Sequence, residues 1–98
     1  MQIEYKNTKL QKICTNAYDA EKKHGRKMAE KIRLRIRQLE AAVSVEELIH
    51  NGLGRCHSLE GKRESQYALD LVHPYRLIFE KKGSQIQIAY IMEIVDYH

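Results

Sequence analysis

From Met28 onward apolar residues return at steps of three and four: Met28, Ile32, Ile36, Leu39 and Val43. That spacing sets them on one face of a helix beginning near Arg26. Before it, Ile3 to Lys6 alternates as a short strand would, and Thr8 to about Cys14 places Leu10 and Ile13 on one side of a short helix. Asn16 to Gly25 is polar and reads either as more of that helix or as a link to the next. Ser44 and Glu47 have the S-x-x-E spacing of a capping box, which predicts a further helical turn carrying Leu48 and Ile49. Asn51-Gly52-Leu53-Gly54 breaks it.

Beyond that point the period falls from nearly four to two. Gln66 to Val72, Tyr75 to Lys81 and Gln85 to Val95 alternate or run apolar, with many β-branched and aromatic residues, and predict strands. His73-Pro74 and Lys82-Gly83-Ser84 are the turns between them. On the middle strand Leu77 and Phe79 would face the helices, leaving Arg76, Ile78 and Glu80 on the other side. In a regular last strand Asp96 and His98 would share a side and Tyr97 would oppose them, unless a bulge intervenes. Helices first and strands afterwards give an α+β fold, two N-terminal helices packed on a small antiparallel β-sheet. The 98 residues form one domain, 1–98.

Composition narrows the class. With 43% hydrophobic and 31% charged residues and one Pro, the chain is neither disordered nor fibrous. No apolar run nears the ~20 residues that span a bilayer, and the start lacks the build of a signal peptide, so a cytoplasmic protein without membrane contact is expected. Cys14 and Cys56 form no CxxC pair and read as reduced, partly buried thiols. Cys56-His57 lacks a second spaced pair of ligands, so neither a metal nor another cofactor is expected.

Charge adds a feature that the net +4 conceals. Lys22, Lys23, Arg26, Lys27, Lys31, Arg33, Arg35 and Arg37 crowd one stretch in which Glu30 is the only acid. Such a field favours a polyanion or an acidic protein. Lys23, Arg26, Lys27, Arg33 and Arg37, with Lys62, are the RNA-binding candidates. The competing reading is a solvated helix face.

The chemistry-bearing residues outside the helices are His57, Arg63, Arg76, Asp96, Tyr97 and His98. The carboxylate attached to His98 is expected to favour the charged imidazole, which suits a general acid. Two imidazoles and two guanidiniums are the groups that metal-independent RNA cleavage requires. A base takes the 2′-OH proton, cations hold the phosphate, and an acid protonates the leaving 5′-oxygen. Each residue also has an ordinary explanation. His57 would cap a strand, Arg76 pair with Glu80, Tyr97 pack over the core, and His98 fray. Tyr97 or Tyr75 would suit an unstacked base, or the core.

His57-Ser-Leu-Glu-Gly-Lys-Arg63, Gln66-Tyr-Ala-Leu-Asp-Leu-Val, Pro74-Tyr-Arg-Leu-Ile-Phe79 and Val95-Asp-Tyr-His98 follow one another in an order that resembles the HigB-type killer toxins of the RelE superfamily. The resemblance runs from about Leu10 onward. It implies a RelE-like, microbial-RNase-like fold and a toxin that cuts messenger RNA in the ribosomal A site. Its partners would be the ribosome, mRNA and a cognate helix-turn-helix antitoxin that neutralises it. By the same resemblance His57 and His98 are the acid–base pair, Arg63 and Arg76 hold the scissile phosphate, and Asp96 and Tyr97 orient the nucleotide. One departure stands out: Glu60-Gly61-Lys62-Arg63 occurs where the family tends to read Lys-Gly-Asp-Arg, so a cation has moved by two positions. The reading from residues alone leaves an alternative, a non-catalytic RNA- or ribosome-binding domain that works through the basic helix.

Overall fold

A computed structural model of the chain describes residues 1–61 and 65–96. The order of elements is β1 (Gln2–Tyr5), α1 (Thr8–Thr15), α2 (Ala17–His24), α3 (Arg26–Ala41), α4 (Val45–His50), a 3₁₀ turn (Leu53–Arg55), β2 (His57–Ser58), β3 (Gln66–Asp70), β4 (Tyr75–Lys82) and β5 (Ile88–Asp96). The α+β expectation holds, with four helices among the described residues where two were expected. The polar stretch that was ambiguous in the sequence is a helix of its own. Asn7 and Asn16 start α1 and α2, their side-chain oxygens accepting from Leu10 N and from Tyr18 and Asp19 N.

α3 ends at Ala41, two residues before the last residue of its apolar series. Ala42 is extended, and Val43 consequently points outward, 76% exposed, rather than joining the buried face. The capping box forms: Ser44 Oγ accepts from Glu47 N at 3.1 Å, while the Glu47 carboxylate reaches Val43 N, one residue earlier than the usual partner. Leu48 is buried and Ile49 is exposed on the helix so started.

The sheet runs β1-β5-β4-β3-β2. Four strands are antiparallel, but β1 lies parallel to β5 along Gln2–Tyr5 and Ile88–Ile91, so the sheet is mixed rather than wholly antiparallel. The β4–β5 connection is also longer than the expected tight turn and occupies 83–87. Gly83 sits there at φ +85°, where a Cβ would strike the Ile86 carbonyl oxygen. Gln87 ties this loop to α4, accepting from Val45 N and donating to Glu46.

One core lies between helices and sheet. Met28, Ala29, Ile32, Ile36 and Leu39 of α3 pack with Leu69, Leu77, Phe79, Ala89 and Ile91 of the strands. Leu77 and Phe79 thus face the helices as their alternation implied. Arg76 and Ile78 belong to the other side, where Ile78 is fully buried opposite Ala68. The pairing of β4 with β5 shifts register between Ile78 and Phe79, so that Met92 is the extra residue of a bulge.

Three ionisable groups in or beside this core are held protonated. Burial pushes the Cys14 thiol up to about 12 and the Cys56 thiol to about 11, and raises the Tyr5 phenol to about 12, helped by Cys14 and Glu40. Unfolded, these groups release protons from their ordinary values of 9.0 and 10.0, so above pH 9 the unfolded chain binds fewer protons than the folded one. The stability to denaturant is therefore expected to hold level from about pH 7 to 9 and to fall steadily from pH 9 to 11. The double substitution Cys14→Ala/Cys56→Ala should flatten that fall, and an unchanged slope in it would show that the thiols are not the cause.

Candidate active site and nucleic-acid interface

The turn that precedes β2 is wound left-handed. Gly52, Gly54 and Arg55 have φ of 66°, 58° and 50°, and for Arg55, which has a Cβ, that conformation costs about 1–3 kcal/mol. What it achieves is visible in the contacts. The Arg55 carbonyl turns toward the ring of His57 and lies 2.8 Å from Nδ1. A carbonyl can only accept, so Nδ1 carries the proton, and in its neutral form the ring presents its lone pair at Nε2. His57 is half-buried, opposite Ala68 at the start of β2.

The side chain of Arg55 reaches Asp70, its Nε 2.9 Å from Oδ2. Asp70 closes β3 directly opposite Arg76, whose Nε lies 3.3 Å from Oδ1. The second contact is ionic more than a hydrogen bond, since Oδ1 is buried and has no aligned donor. Arg76 thus pairs with Asp70 across the strands rather than with Glu80 along its own. A third guanidinium joins from α3: Arg35 Nε donates to the Asp70 carbonyl at 2.7 Å and Nη1 to Gln38 at 2.9 Å. Burial lowers the Arg35 pKa, and Asp70 opposes that shift. Gly54 makes room for this arm, because a Cβ there would lie 2.9 Å from Arg35 Nε.

Residues paired across an antiparallel sheet share a face. His57, Ala68, Ile78 and Glu93 form one row on the face away from the helices, and Asp70, Arg76 and Val95 form the next. His57 and Arg76 are therefore on the same surface, separated by β3. Asp96 is exposed at the end of β5 and pairs with Tyr75, which belongs to the helix-side row. The structure brings His57 and Arg76 together and sets Asp96 at the same end of the sheet on the other pleat. Arg63, Tyr97, His98 and Lys62 lie outside the described residues. Among the described residues no group of His, Cys, Asp and Glu could hold a metal ion.

The basic stretch does not form one helix. Gly25 divides it, leaving Lys22 and Lys23 on α2 and the remainder on α3. Lys23, Arg26 and Lys27 line a cavity beside Tyr75, whereas Arg33 and Arg37 border a different one with Tyr5, Cys14 and Glu40. Lys27 and Arg37 are roughly 15 Å apart along the helix axis at 1.5 Å per residue. Arg35 has left the charged face altogether for Asp70. Sequence reasoning passed over Arg35, Arg55 and Asp70. The only hint was Arg35 standing beside Ile36 at the margin of the apolar face.

No helix among the described residues is long and apolar enough to cross a membrane. No family model and no curated protein matches the sequence. Among solved structures, one described as a YoeB/ParE toxin from Agrobacterium tumefaciens superposes with a TM-score of 0.68 at 17% identity, covering 100% of both chains. At that identity the likeness is one of fold, and over its whole length this chain has the α+β, RelE-like fold of a YoeB/ParE toxin.

Proposed function

We propose that this chain is the toxin of a toxin–antitoxin pair and acts as a HigB-type, ribosome-dependent mRNA endoribonuclease that a helix-turn-helix antitoxin neutralises. The observation that carries the reading is His57, with its Nδ1 proton committed to the Arg55 carbonyl, on the same sheet face as Arg76. Arg76 lies two strands across and two residues along from His57, roughly 12 Å at the strand spacing and rise of a sheet, a span that a ribose and its phosphate can bridge with the two side chains.

In this mechanism His57 Nε2 takes the proton of a ribose 2′-OH. The freed oxygen attacks phosphorus and closes a 2′,3′-cyclic phosphate. Arg76 and Arg63 hold the charge that builds on the non-bridging oxygens. The bond to the 5′-oxygen breaks, and that oxygen leaves with a proton from His98. Asp70 positions Arg76 and through Arg55 steadies the carbonyl that orients His57. Asp96 and Tyr97 orient the nucleotide in this reading.

A second reading has one specific support, the placement of Asp96 on the opposite pleat from His57 and Arg76. In it the chain is a non-catalytic RNA- or ribosome-binding domain using Lys23, Arg26, Lys27, Arg33 and Arg37. Induction of wild type and of His98→Ala in a bacterial host, with primer-extension mapping of a reporter mRNA, separates the two. Cuts and growth arrest by wild type alone are expected. Arrest by both proteins without cuts would end the nuclease reading and favour the binding domain.

A further inference from the structure

The junction of α2 and α3 faces the turn before β4 across a cavity of about 470 Å³, within the size range of small-ligand sites. Its walls carry Lys23, His24, Arg26, Lys27, His73 and Tyr75, and none of its lining residues is acidic. Acids do stand around it: Glu30 pairs with the exposed Arg26 at 3.4 Å, Asp96 is opposite Tyr75 in the sheet, Asp70 shares the next cavity with Tyr75, and Asp19 and Glu93 line neighbouring cavities with Lys23. The exposed Arg26–Glu30 pair contributes little and is readily exchanged.

The aromatic groups are arranged as well as the charges. The His24 ring meets Tyr75 edge-on, centroids 6.4 Å apart at 64°, and Tyr75 remains 37% exposed. Burial and Lys23 both lower the His24 pKa, so the ring tends toward the neutral form that stacks without repelling its cationic neighbours. A phenol and an imidazole beside several cations suit a nucleotide, since the rings take a base and the cations its phosphate. An acidic peptide would use the charges and leave the rings idle. His73 and Tyr75 also line a smaller cavity of about 120 Å³ that contains Arg55, Asp70 and Arg76. The two spaces therefore adjoin along the turn.

We infer that the cavity between the α2–α3 junction and the turn before β4 binds one nucleotide of single-stranded RNA, its base against Tyr75 and His24 and its phosphate at Lys23 and Lys27. The placement of the neighbouring phosphate at Arg76 rests on the nuclease reading; the occupancy of the cavity does not. The test is fluorescence anisotropy of the purified full chain with a labelled ten-residue oligouridylate, titrated with salt. Tyr75→Leu should weaken binding about fivefold or more and leave the salt slope alone. Lys23→Glu/Lys27→Glu should weaken it more than tenfold and reduce the log–log salt slope by about 0.7, the value for one phosphate on a single strand. His24→Ala carries the same test as Tyr75→Leu if the latter lowers the melting temperature.

Unchanged affinity in the folded variants would overturn the proposal, as would a wild type that fails to bind the oligonucleotide at low salt. A loss confined to the lysine variant, with the ring variants binding normally, would reduce the cavity to a patch of surface charge and overturn it too. None of these readouts depends on strand cleavage, so failure of the nuclease reading appears separately, in the primer-extension map.

Discussion

His57→Ala is expected to reduce mRNA cleavage by about 10²–10⁴-fold, the usual contribution of a general acid or base, equal to roughly 3–5 kcal/mol of transition-state stabilisation at 1.36 kcal/mol per decade. The reason is the tautomer. With Nδ1–H given to the Arg55 carbonyl, only Nε2 is left to accept a proton, and alanine supplies neither atom. His57→Asn is the sharper variant because its amide can still donate to that carbonyl but offers no base. Both should retain the wild-type melting temperature within a few degrees, since the ring is only half-buried. Initial rates on a reporter mRNA with purified ribosomes decide the matter. Near-normal cleavage by His57→Asn would make the histidine a strand cap and leave the chemistry to other groups.

Phe79→Ala should cost about 3–5 kcal/mol, as large-to-small changes of buried aromatics do. Phe79 is fully buried, stacked on Tyr67 at 5.6 Å and opposite Ile91, so its ring is enclosed by two strands and the helices. Domains of this size have only ~5–15 kcal/mol in total, and each kcal/mol moves the midpoint by about 4–8 °C. The variant is therefore expected to melt at least about 12 °C below wild type and to populate unfolded chain at growth temperature. Tyr18→Ala, at an exposed site, is the control and should change stability by less than about 0.5 kcal/mol. A shift below about 4 °C for Phe79→Ala, read by circular dichroism, would mean that β4 has a different face on the helices.

What could be read in advance was whatever depends on near neighbours. The three-and-four spacing of Met28, Ile32, Ile36 and Leu39 identified α3, and Ser44 with Glu47 identified the start of α4. The β4 alternation assigned Leu77 and Phe79 to the core side. Two of the failures, the parallel strand and the Asp70 ion pairs, share a cause, contact between residues apart in the sequence. Nothing local distinguishes a strand that will lie parallel to β5 from one that begins a meander, and the ion pairs of Asp70 join residues 6 to 15 positions apart, with Arg35 another 35 away. Val43 was misplaced because a periodicity does not show where its helix stops. The basic run is continuous along the sequence, and a single glycine divides it between two helices.

The parallel pairing of β1 with β5 bears on how the chain is made. Residues 2–5 emerge from the ribosome early, yet the edge they dock on is residues 88–91. Until those are synthesised β1 has no partner strand, and joining the two closes a loop of more than eighty residues, a slow step of high contact order. Asp96 ends that same strand, so the sheet and the candidate site are completed in one late event. A nascent chain lacking β5 has neither the partner of β1 nor Asp96. In the toxin reading, that delay gives the producing cell an interval in which an antitoxin can be present before the protein it must restrain.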